Sequence, residues 1–119
     1  MSVSSEAAPF EQEDALSYVQ IQFAIDDVAV ADAIVEALLR DHLIACGQRT
    51  GPISSRYWWR ESLEQTEECL VLLKTRAALA PAVVDAVVQQ HPYETPEVIV
   101  LPIAGGAAAY LGWIDRVTS

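Results

Sequence analysis

Positive charge is what this chain most lacks. Lysine and arginine together number seven against seventeen aspartates and glutamates, giving a net charge of −10 over 119 residues. Lys74 is the one lysine, and the arginines are spread from Arg40 to Arg116 without clustering. Proteins grip nucleic acid by neutralising phosphates with Lys and Arg, so no nucleic-acid partner is expected. The same shortage argues against an anionic membrane surface. A chain of this charge draws cations toward it, and the acidity also keeps an apolar assembly in solution.

Cysteine is scarce as well. Cys46 and Cys69 have neither the spacing nor the His partners of a structural zinc site. No phosphate-binding loop or dinucleotide fingerprint is present, and no apolar run approaches the ~20 residues that span a bilayer. The first 14 residues are rich in Ser, Glu, Ala and Pro and lack the basic and apolar regions of a secretory signal. These absences point to a cytoplasmic protein with reduced cysteines. A disordered acidic tail is expected over residues 1–16, ahead of one domain over residues 17–119. What the chain has in excess is apolar side chains, 52% of all residues with only 20% charged. A small domain needs a larger polar surface than that, so part of the excess is expected between subunits of an oligomer.

Apolar Val19, Ile21, Phe23 and Ile25 alternate with Gln20, Gln22 and Ala24, the period of a strand with one buried face. Asp26 and Asp27 suit a helix N-cap. Val28, Ala31, Ile34, Val35, Leu38 and Leu39 then recur at helical spacing, which predicts a helix to about Leu43. Gly51-Pro52 predicts a bend before a strand at Ile53–Trp59. A short polar connection over Arg60–Gln65 leads to a second strand at Thr66–Thr75, apolar on both faces and therefore central or at an interface. Tyr57-Trp58-Trp59 near the hairpin tip is more aromatic surface than an isolated chain exposes. A helix over Ala78–Gln90 carries Pro81 in its first turn. A strand at Glu97–Ile103, a turn at Gly105-Gly106 and a helix from Ala107 to Val117 complete the order. Right-handed crossovers turn it into an α+β, ferredoxin-like βαββαβ sandwich with an extra C-terminal helix.

Between the second helix and the last strand lies His91-Pro92-Tyr93-Glu94-Thr95-Pro96-Glu97, a corner stiffened by two prolines. His91, Glu94 and Glu97 offer one imidazole and two carboxylates, a mixed set that Cu²⁺ or Zn²⁺ accepts. Alternatively His91 closes the helix C-terminus, Tyr93 packs, and Glu94 meets an arginine of another subunit. Cys46 has His42 four residues before it but no third group to orient a base, so no catalytic set can be assembled. Both cysteines read as small core residues. The Gly47–Gly51 bend with Arg49 could curve around an anion.

Cys46, Tyr57-Trp58-Trp59, Leu72-Leu73-Lys74-Thr75-Arg76, the His91–Glu97 corner and Tyr110-Leu111-Gly112-Trp113 together resemble the CutA family, the divalent-cation-tolerance proteins. The match runs in order from about Tyr18 to Ser119. The resemblance implies a homotrimer of ferredoxin-like subunits, built like the PII signalling proteins, whose long hairpins reach across to neighbours and join their sheets. It links the chain to tolerance of copper and other divalent cations. Because no catalytic set can be assembled from the residues, the expected action is ion binding rather than catalysis, with Cu²⁺ or another divalent cation as the one candidate cofactor. The copper ligands proposed for some members, a Cys in the first strand and a His and a Glu around the corner, fall by spacing on Phe23, Gln90 and Glu97. Only the Glu is kept, and Gly47–Pro52 also departs from the family pattern. The candidate metal contacts here are therefore His91, Glu94 and Glu97. The other reading is a PII-like trimeric scaffold or sensor that takes a small anion or a protein partner in clefts between subunits.

Overall fold

The computed structural model describes residues 10–12 and 17–119. Its strands are β1 (Phe10–Gln12), β2 (Tyr18–Ile25), β3 (Cys46–Arg49), β4 (Ile53–Trp59), β5 (Ser62–Arg76), β6 (Val98–Pro102) and β7 (Gly105–Ala107). Its helices are α1 (Val28–Arg40), α2 (Ala80–Gln90) and α3 (Ala108–Thr118). The main sheet is antiparallel in the order β3-β5-β2-β6, with β4 continuing the β3 side of β5. This is the expected ferredoxin-like fold.

The alternation in β2 decides which face is core. Val19, Ile21, Phe23 and Ile25 lie in register with Thr75, Leu73, Val71 and Cys69 of β5. Together they pack against Ala31, Ile34 and Leu38 of α1 and Val83 and Val87 of α2. The opposite face carries a second, smaller cluster in which Tyr18 and Ala45 meet Leu111 and Ile114 of α3. Asp27 caps α1 as expected, accepting from Val30 N at 3.1 Å.

Three boundaries differ from the sequence reading. First, α1 ends at Arg40 rather than near Leu43. His42 takes a left-handed backbone, φ 56°, while His42 N and Leu43 N donate to the carbonyls of Leu39 and Leu38. This is a Schellman ending with His where Gly is usual. Second, the hairpin connection is the two residues Arg60 and Glu61, both at positive φ, and Ser62–Gln65 belong to β5. The register from Ile53↔Glu68 to Trp59↔Ser62 is unbroken, so β5 is a 15-residue strand. The turn has the backbone of a type I′ hairpin without its Asn-Gly signature. Third, Gly105-Gly106 is no free turn, since Gly105–Ala107 pairs with Phe10–Gln12. The rest of the tail expected over residues 1–16 lies outside the described residues.

The bend expected at Gly51-Pro52 is the break between β3 and β4, both of which pair with β5. The outer half of β5 thus leaves the sheet with β4 as a two-stranded arm, which stretches the molecule to 55 × 28 × 24 Å. The arm curves over the corner that follows α2.

Candidate functional site

The corner is built on His91. Its amide donates to Val87 O at 2.9 Å and closes α2. Its ring is buried, with Nε2 donating to Ala24 O at 2.8 Å and Nδ1 accepting from Tyr93 N at 3.1 Å. Phe23 and Tyr93 stand edge-on to the ring at centroid distances of 6.0 and 4.5 Å. Both nitrogens are therefore spent on main-chain groups, and a metal could take one only by orphaning a buried backbone partner.

Tyr93, held by that bond, reaches under the hairpin and donates its hydroxyl to Glu68 Oε2 at 2.8 Å. Burial, then the hydrogen bond to Glu68 and its negative charge, push the Tyr93 hydroxyl well above the ordinary tyrosine range. Glu68 is 8% exposed, a carboxylate set into the wall of the arm. At the tip, Arg60 Nη2 donates to Glu94 Oε1 at 2.6 Å. The arginine expected from another subunit comes here from the same chain. The Arg60 guanidinium also lies 5.2 Å from the centroid of the Trp59 ring.

Between arm and corner is an open cavity of about 830 Å³. Tyr57, Trp59 and Tyr93 give it aromatic walls, and Asp26, Glu68, Glu94 and Glu97 give it four carboxylates. Arg56 is the one basic residue of its lining among the described residues. Tyr57 is fixed by a 2.7 Å bond between its hydroxyl and Thr66 Oγ1. Trp58 borders it too and is 71% exposed.

Of the three expected metal contacts, Glu94 and Glu97 border the cavity and His91 does not. Among the described residues no three His, Cys, Asp or Glu side chains converge on one point. The trio therefore does not fit a chelating metal centre, because the imidazole is committed and Glu94 is paired. Asp26 and Glu68 were missed as members of the site. Asp26 reads as a helix cap, and a Glu in a strand carries no mark of the residue the fold will place opposite it.

Cys46 and Cys69 stand apart from the cavity. Burial raises the pKa of the Cys69 thiol, and burial and Cys46 raise that of the Tyr110 hydroxyl. The bend expected over Gly47–Gly51 is mostly strand, since Gly47, Gln48 and Arg49 pair with β5, and Arg49, the cation expected to face an anion there, is paired with Asp32 at 2.9 Å.

Comparison with known proteins agrees with the fold. The family profile described as CutA1 divalent ion tolerance protein matches residues 19–117. Human protein CutA is 40% identical over 89 residues, which are 75% of this chain and 50% of that protein. The chain thus spans about half the length of the mammalian relatives it matches. The divalent-cation tolerance protein CutA of Pectobacterium atrosepticum is 38% identical over 75% of this chain and 81% of its own length. The crystal structure of CutA1 from Shewanella sp. SIB1 superposes with a TM-score of 0.83 at 33% identity, covering 86% of this chain and 95% of that one. With its ferredoxin-like sheet, its long aromatic arm and this match, the chain belongs to the CutA1 divalent ion tolerance family.

Proposed function

We propose that this protein serves tolerance of divalent cations, copper among them, by binding ions rather than by turning over a substrate, and that it works as a cytoplasmic homotrimer. The observation that carries the ion-binding part is the lining of the cavity, where four carboxylates face one basic residue. Such a wall holds a cation by charge, with much of its water retained, and does not need a converging ligand set. Glu94 and Glu97 are the contacts at its rim, with Asp26 and Glu68 behind them, and His91 acts as their scaffold.

The assembly is supported by apolar surface that one chain leaves uncovered. Tyr57, Trp58, Trp59 and Leu63 are exposed on the arm, and Ile99, Val100 and Leu101 on edge strand β6. Oligomer interfaces take up surface of this kind. Native mass spectrometry with a few equivalents of Cu²⁺ or Zn²⁺ tests both parts. A species of three 13.0 kDa chains holding a whole number of ions per chain, with uptake reduced in Glu94→Gln/Glu97→Gln, is the expected result. Scattered uptake that the double variant leaves unchanged would overturn the ion-binding part, and a monomer would overturn the assembly.

A further inference from the structure

We draw no further inference here: the strongest candidate, the cluster on the sheet face opposite α1 and α2 where Cys46 of β3 stands in register with Lys74 of β5 and beside Tyr110 of α3, centres on a lone cysteine with no second feature among the described residues that points to a ligand, and nothing in the structure shows what covers that face.

Discussion

Gly47 of β3 and Val35 of α1 pack so closely that a β-carbon on Gly47 would lie 2.5 Å from Val35 Cγ1. The glycine is needed for space, and its backbone has negative φ. Gly47→Ala should therefore cost about 1–3 kcal/mol through overpacking. Adding Val35→Ala should restore part of that loss. Urea unfolding of the two single variants and the double variant measures the coupling, and strictly additive costs would refute the contact.

His91→Ala should destabilise the fold by about 2–3 kcal/mol, because the buried carbonyl of Ala24 and the amide of Tyr93 both lose their partner. Denaturant unfolding of the variant checks this. An unchanged unfolding midpoint, with metal uptake alone impaired, would return His91 to the role of ligand.

The Tyr93 hydroxyl has its pKa raised by burial first and by Glu68 second. The unfolded chain titrates it near the ordinary value of about 10. A group whose pKa is higher when folded contributes fully below the unfolded value, and its contribution fades as pH rises beyond it. Stability should thus decline above about pH 10 more steeply in the wild type than in Tyr93→Phe. At neutral pH the same variant should cost about 1 kcal/mol for the lost bond to Glu68. Parallel slopes between pH 9 and 11 would refute the assignment.

Trp58 is the most exposed large apolar residue described. Trp58→Ser should leave the fold of each chain intact and weaken self-association at least about tenfold, or about 1.4 kcal/mol. Sedimentation over a dilution series tests this. An unaltered assembly would place the interface elsewhere.

Period and punctuation were readable along the chain. The alternation from Val19 to Ile25, the cap at Asp27, the helical spacing of Ile34 and Leu38 and the break at Gly51-Pro52 depend on neighbours only a few residues away. Local signals set such elements. The ends of elements were less legible wherever an unusual residue took a special backbone. His42 in a helix ending and Arg60-Glu61 in a tight turn lack the Gly or Asn that would announce them.

The sequence by itself determined the order of elements, the ferredoxin-like class, the acidic balance and the stiff corner from His91 to Glu97. Each follows from local chemistry or from composition. Only the tertiary structure decided what that corner does. His91 is turned toward Ala24, 67 residues away, while Glu94 meets Arg60 and Tyr93 meets Glu68 across the arm. A side chain's role depends on which partners the fold brings within hydrogen-bonding distance. Those distances are set by register and by the curvature of the arm, which leave no mark on the spacing of residues along the chain.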